Sequence, residues 1–357
     1  MREFLYKKRI LITIMLLITI ALLVISIIPT NYDVTSPGDL NKVSSVINVN
    51  TEYKETGSFN TTSVYVNEKC SILTYLLGKL SKANIIEKTS EQIDGTSVRN
   101  KDSGKIQKNV SITNAIICAY EKANKKIEYQ YEGVIIHTLA NYASNDLKVG
   151  DVISKVDGQE FKNTSEFLML YNEARMNELY FDQKNGVCHL PLTINGEDKI
   201  ITSNYIVSND IESYPVFGIY YYDYNTIIED SAEPSYTLNK VSTSGPSGGL
   251  MQTLAIFNAL TEVDYTFGLK VAGTGTIEVD GTVGAIGGMY SKVYTAYYAG
   301  ADVFFVPYYE TESGETNYEE AVRAYKDLEC PKDFKIVPVG NFQDAIDYLL
   351  SLEANND

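Results

Sequence analysis

An apolar run of nineteen residues, 10–28, contains no charged side chain and constrains this chain more than any other feature. A helix of "ILITIMLLITIALLVISII" has no polar face to turn to water, so it cannot be an ordinary surface helix of a globular domain. At 1.5 Å per residue it nearly spans a hydrocarbon core of about 30 Å. The preceding "MREFLYKKR" carries Arg2, Lys7, Lys8 and Arg9 against Glu3. Such a flank stays cytoplasmic, which places everything after Pro29 on the far side. A cleaved leader is the alternative, with a shorter apolar region and a small-residue cleavage site. "VISIIPTNY" offers no such site and no cysteine to take a lipid. Residues 1–30 are therefore expected to form a basic flank and an uncleaved single-pass anchor in the cell membrane. The N-terminus would be cytoplasmic and the remainder extracytoplasmic.

The remaining chain is long enough for two domains. Its net charge of −16 argues against nucleic acid as a partner, because that affinity comes from Lys and Arg neutralising phosphates. Cys70, Cys118, Cys188 and Cys330 are scattered with no C-x-x-C pair, which excludes the usual zinc and thioredoxin spacings. An extracytoplasmic site permits disulfides, and spacing leaves their pairing open.

After the anchor, "NYDVTSPGDLNKV" reads as a polar stem and "GSFNTTSVYVNE" as a strand. Ile72, Leu73, Leu76, Leu77 and Leu80 recur at helical spacing, as do Ile112, Ala115, Ile116, Ala119 and Ala123. The polar residues 86–105 between them read as a loop. From Glu128 the style changes to strands with Asp-Gly and Asn-Gly turns, and a helix whose start pairs Asn163 with Glu166 as a capping box. The C-terminal part alternates strands and helices: a helix from Ser247, a hairpin on Asp280-Gly281 of type I′, a helix stopped by Gly300, the strand "DVFFVP", and a last helix opened by Asn341 and Asp344. This is a mixed α/β pattern.

In "STSGPSGGLMQTLAIFNAL", Ser247 stands between a proline and two glycines at the start of an apolar helix. Either Gly245-Pro246-Ser247-Gly248-Gly249 is helix-start punctuation, or Ser247 is a nucleophile near outward-pointing N–H groups. A serine nucleophile needs a base. The chain has only His137 and His189, both on presumed strands of the central segment, so a Ser-His-Asp triad is not expected. A lysine can serve if burial brings its pKa from about 10.4 towards 7–8. Lys292, in "AIGGMYSKVYTAYYAGADVFFVP", meets that requirement, whereas Lys326 sits among acidic residues. The competing reading of Lys292 is an aliphatic stem lying along apolar surface with its ammonium in water.

Read together, "GPSGG" and "TGTIEVDGTVGAIGGMYSK" resemble the signature of Lon-type serine proteases. The resemblance implies Ser247 as nucleophile, Lys292 as general base and Thr274 as support for the dyad. Gly245, Pro246, Gly248 and Gly249 would form the oxyanion-stabilising helix start. It also implies a ribosomal-protein-S5-domain-2-like α/β (α+β) fold, with no metal and no cofactor. Gly248 stands where alanine is usual in that family, and Ser244 where an acidic residue is frequent. No G-x-x-x-x-G-K-S/T motif occurs in the chain, so an ATP-independent relative is expected. "LKVGDVISKVDGQEF" resembles part of a PDZ domain, with "YQYEGV" as a loose counterpart of its carboxylate-binding loop.

The expected organisation has residues 31–126 as stem and N-terminal part of the proteolytic fold, 127–206 as an inserted PDZ-like domain, and 207–357 as the part bearing the dyad. The expected partners are protein or peptide substrates and the membrane, with neither nucleic acid nor ATP. Ring formation by Lon-type domains makes a homo-oligomer an expectation of the resemblance alone. The expected activity is endopeptidase cleavage of unfolded or membrane-associated proteins, with the PDZ-like module recruiting or gating them. The alternative is a non-catalytic anchored scaffold.

Overall fold

A computed structural model describes residues 2–81, 83–87, 101–140, 142–182, 184, 187–204, 216–240, 243–309, 314–331 and 333–353. Helix α1, Arg2–Ile27, is the apolar run with its basic flank. Residues 8–27 are long and apolar enough to cross a membrane, and that segment is not buried against the rest of the chain. It is a candidate span by length and composition.

Two sheets follow. The first has six strands, and the order across it is explained by chemistry at its centre. Strand β16, Val303–Pro307, is apolar at every position because both faces are covered. Val303 and Phe305 join one core with helices α3 (Lys101–Lys122), α5 (Gly249–Leu260) and α8 (Phe342–Glu353), represented by Ile116, Leu254 and Phe342. Phe304 and Val306 point the other way, to α6 (Met289–Tyr298) and α7 (Asn317–Asp327), where Val293 and Ala324 lie. The strand alternation thus makes a three-layer α/β/α body. Beside β16 run β17 (Lys335–Val339) on one side and β13 (Lys270–Gly273) on the other, both parallel to it. Next come β3 (Ser58–Asn67), parallel to β13, then β1 (Tyr32–Lys42) and β4 (Asn84–Glu87), both antiparallel to their neighbours. A two-stranded ladder joins β2 (Ile47–Val49) to β12 (Tyr236–Leu238).

The second sheet interrupts the first in chain order. Strands β5 (Tyr129–Leu139), β6 (Val152–Val156), β9 (Val187–Ile194), β10 (Glu197–Asn204) and β11 (Ile219–Ile227) lie in the order β10-β9-β6-β5-β11. Short strands β7 (Gln159–Glu160) and β8 (Phe181–Asp182) flank them. Helix α4, Thr164–Arg175, packs on this sheet through Phe167 and Tyr171 and is capped by Asn163, which accepts from the Glu166 N–H. Asp157-Gly158 and Asn195-Gly196 have positive φ at both turn positions, as type I′ hairpins need.

Four expectations change. The "polar stem" is strand β1, with Asp33, Val34 and Thr35 buried. Its Pro37-Gly38 pair sits at a register shift against β3, where an extra residue is accommodated and the missing proline N–H does no harm. Gly38 is required there, since a Cβ would lie 2.6 Å from the Ser63 carbonyl oxygen. Second, α3 begins at Lys101, inside the stretch read as a loop, while residues 88–100 lie outside the described residues. Third, β11 pairs with β5, so the β-rich unit runs to Ile227 and past the boundary set at residue 206. Fourth, the hairpin of β14 (Thr276–Ile277) and β15 (Val283–Gly284) is not type I′. Only Gly281 of the Asp280-Gly281 pair has positive φ. The Gly281 N–H donates to the Glu278 carbonyl and the Glu278 N–H to that of Thr282, which is a type I turn closed by a left-handed glycine.

Candidate active site

Helices on opposite faces of the first sheet meet at the carboxyl end of β13. From one face comes the segment before α5, carrying Ser247; from the other comes the first turn of α6, carrying Lys292. The residue that follows β13 is Thr274, and it joins them. The Thr274 hydroxyl donates to the Ser247 carbonyl at 3.0 Å. Lys292 Nζ donates to Thr274 Oγ1, also at 3.0 Å. Thr274 has one O–H, already directed at Ser247, so towards the amine it can only accept. A neutral Lys292 therefore gives an N–H to Thr274 and keeps its lone pair for another partner. The Gly275 N–H also donates to the Ser247 carbonyl at 2.9 Å.

Lys292 is 3% exposed. Burial lowers its pKa to about 7, with the Glu320 carboxylate working in the opposite direction. Its place in the first turn of α6 acts with burial, because the helix N-terminus disfavours a cation. The Glu320 carboxyl is itself raised by burial and accepts from the Tyr290 N–H.

Helix α5 begins at Gly249, two residues later than the sequence suggested, and its N-cap is Gly248, with no side chain capping it. The Ser247 hydroxyl is therefore not helix-start punctuation. Of the four positions expected to surround a developing oxyanion, Pro246 has no N–H, the Gly245 N–H donates to the Gly104 carbonyl, and the Gly249 N–H to that of Pro246. Gly248 remains, together with the N–H of Ser247 itself. Gly245 holds the bend before Pro246 at a φ of 88°, a left-handed conformation natural to glycine.

Ser247, Gly248 and Lys292 line a cleft of about 730 Å³. Its far wall is formed by Asn41 of β1 and by Thr61 to Tyr65 of β3. Strand β3 pairs with β13 only through residues 58–61 and then continues, so its edge beyond Thr61 is not used by β13.

Three residues that the sequence reading passed over hold the Ser247 segment from below. Along α3, the Gly104 carbonyl accepts from Gly245, Lys108 Nζ donates to the carbonyl and hydroxyl of Thr243 at 2.9 Å, and Ser111 Oγ donates to the Pro246 carbonyl at 2.8 Å. Positions 104, 108 and 111 share one helix face. The adjacent face meets the second sheet, where Ser103 bonds Thr138 and Gln107 bonds His137. A polar stripe beside the apolar one was the available signal. Gln252, one turn into α5, lines the same cleft, and its buried Oε1 has no partner among the described residues.

The histidines do not join this site. His137 stacks on Tyr222, and burial holds its pKa down near about 4. His189 bonds Thr202 across the β9–β10 pair. All four cysteines are free thiols, and burial pushes Cys118 up to about 12 and Cys188 up to about 11, which leaves both unreactive.

Residues 239–350 match the family model described as the Lon protease (S16) C-terminal proteolytic domain. A Lon protease of Mesomycoplasma hyopneumoniae (strain 232) is 30% identical over 133 residues, which is 37% of this chain. The alignment spans 14% of that protein's own length. The segment that bears Ser247, Thr274 and Lys292 is thus similar to a Lon proteolytic domain, and both matches support a serine-type peptidase.

Proposed function

We propose that this chain is an ATP-independent serine endopeptidase held at the extracytoplasmic membrane face by α1, working through a Ser247–Lys292 dyad. The observation that carries the proposal is the buried Lys292 amine, bonded to Thr274, which in turn bonds the Ser247 carbonyl. Ser247 Oγ attacks the scissile carbonyl while neutral Lys292 takes its proton. Lys292 then passes that proton to the leaving amine, and water hydrolyses the acyl-enzyme. The N–H groups of Ser247 and Gly248, at the positive end of α5, receive the tetrahedral oxyanion. An unfolded segment in the cleft would pair with the β3 edge beyond Thr61, presenting its backbone to Ser247.

The β-rich unit is the proposed recruiting or gating module, with "LKVGDVISKVDGQEF" as its PDZ-like element. Strand β5 is paired on both sides, by β6 and β11. The stretch "YQYEGV", expected as a counterpart of the carboxylate-binding loop, is instead the first half of strand β5, paired with β11; an added peptide strand would join at β10 or β11.

The test is cleavage of an unfolded protein without ATP by the full chain in detergent, beside Ser247→Ala and Lys292→Ala. The expected result is hydrolysis by the parent that each substitution abolishes. Hydrolysis that survives both changes would overturn the dyad, and an inactive parent whose dyad serine resists acylating probes would favour the scaffold.

A further inference from the structure

Helix α2, Ile72–Leu80, is short and sits where the chain leaves α1. The connection is held by backbone hydrogen bonds. The Ile72 N–H donates to the Ile28 carbonyl, Thr30 N–H and Oγ1 both reach the Cys70 carbonyl, and the Cys70 N–H returns to Tyr32. On one face of α2 Gly78 is buried against Val34 and Ile85, so closely that a Cβ would lie 3.2 Å from Val34. The opposite face carries Leu76, Leu77 and Leu80, all exposed, the last at 82%. These positions lie on one side of the helix. Beside them Tyr32 and Tyr75 pair at 4.6 Å, and Lys79 Nζ lies over the Tyr75 ring. Ile86, on the adjoining edge strand β4, is exposed as well.

An unpartnered row of leucines is unusual on a water-facing helix so short. Bordered by two tyrosines and a lysine, it has the composition of a segment lying in a bilayer interface. Its occupant follows from continuity: α2 starts hydrogen-bonded to the end of a helix long and apolar enough to cross a membrane. We propose that α2 lies in the outer leaflet, with Leu76, Leu77 and Leu80 among the acyl chains, as a second membrane contact that fixes the orientation of the body on α1. The proposal rests on the reading of α1 as a membrane span. It requires no anionic lipid, since the contact is apolar and the chain carries a net charge of −16.

The chain contains no tryptophan, so single tryptophans report their own positions. Full-length Leu22→Trp, Leu80→Trp and Leu179→Trp would each be reconstituted into phosphatidylcholine vesicles with and without bromines on the upper acyl chain. Leu179 is 85% exposed on the second unit and serves as the aqueous control. The expected result is blue-shifted, strongly quenched emission at positions 22 and 80, and unquenched emission at 179. Quenching at 22 without quenching at 80 overturns the α2 contact and leaves the anchor intact. Blue-shifted but unquenched emission at 80, varying with protein concentration, would make the leucine face a contact between copies of this chain and likewise overturn the proposal. Absence of quenching at both 22 and 80 would instead remove the membrane span on which the proposal rests.

Discussion

Lys292 has its pKa lowered to about 7 by burial, and Glu320 is the carboxylate that opposes the shift. As the proposed base in hydrolysis it must be neutral, so kcat/KM should rise about tenfold per pH unit below pH 7 and level off above it. A profile flat from acid to alkaline pH would exclude this lysine as the base. The same shift has a thermodynamic consequence with a definite sign. The unfolded chain keeps the lysine protonated up to its ordinary value of 10.5, whereas the folded chain releases the proton near 7. Between those values the unfolded state binds more protons, so stability rises with pH; below about 7 both states are charged and the full penalty of burying the ammonium applies. Lys292→Met removes that penalty. The variant should be more stable than the parent at about pH 6, by a few kcal/mol, and its advantage should shrink towards pH 10. Urea unfolding midpoints at the two pH values measure this, and an advantage independent of pH would count against a perturbed lysine.

The start of α5 shows how two adjacent glycines differ in what they must do. A Cβ on Gly249 would lie 2.7 Å from both the Ile277 side chain and Ser111 Oγ, and 2.9 Å from the Ile277 nitrogen. Backbone cannot move aside there without shifting the β14–β15 hairpin, so Gly249→Ala should cost about 1–3 kcal/mol and most of the activity. A Cβ on Gly248 would meet the end of Gln252 and the Thr61 methyl at 3.2 Å, both able to turn. Its φ of −89° suits alanine, and Gly248→Ala should keep activity and stay within about 1 kcal/mol of the parent. Thermal unfolding and kcat/KM of the two variants test the pair of expectations together. Ser111→Ala removes the hydroxyl that holds the Pro246 carbonyl and should lower kcat with a stability loss of about 1 kcal/mol. What was legible in the sequence follows the same division. Gly-Pro-Ser and the Thr-Gly to Lys292 spacing are local patterns, and the structure brings those residues together. Ser111 and Lys108 act across more than a hundred residues of chain, and nothing local in α3 announces which loop its polar stripe will meet. Strand β1 was hidden because Pro37-Gly38 imitates a turn; "FGIYYYDYN" reads as a strand, but its place in the β-rich unit was hidden because its partner β5 lies far behind it in sequence.

At the scale of the molecule, the proposed anchor α1 and the cleft are joined by a single short path. Chain leaves α1 at Ile27, enters β1 at Tyr32, and reaches the cleft at Asp39 and Asn41. Fully extended at about 3.3 Å per residue, the ten steps from Pro29 to Asp39 set an upper limit of about 33 Å on the height of the cleft wall above the proposed membrane exit. A body held by one helix could tilt within that limit, whereas α2 lying in the leaflet would narrow the range. Either way, on that reading a segment emerging from the same membrane needs only about ten extended residues to reach the cleft wall at Asp39. Confinement to the same surface also raises its effective concentration over that of a free peptide. An unfolded sequence tethered by its own membrane span, with its scissile bond about fifteen residues from that span, should be cut at least about tenfold faster in vesicles than the same sequence untethered. The advantage should fall as the tether lengthens, since effective concentration declines with linker length, and vanish when protease and substrate are placed in separate vesicles. Equal rates for tethered and free substrate would mean that the anchor places the protease without selecting what it cuts.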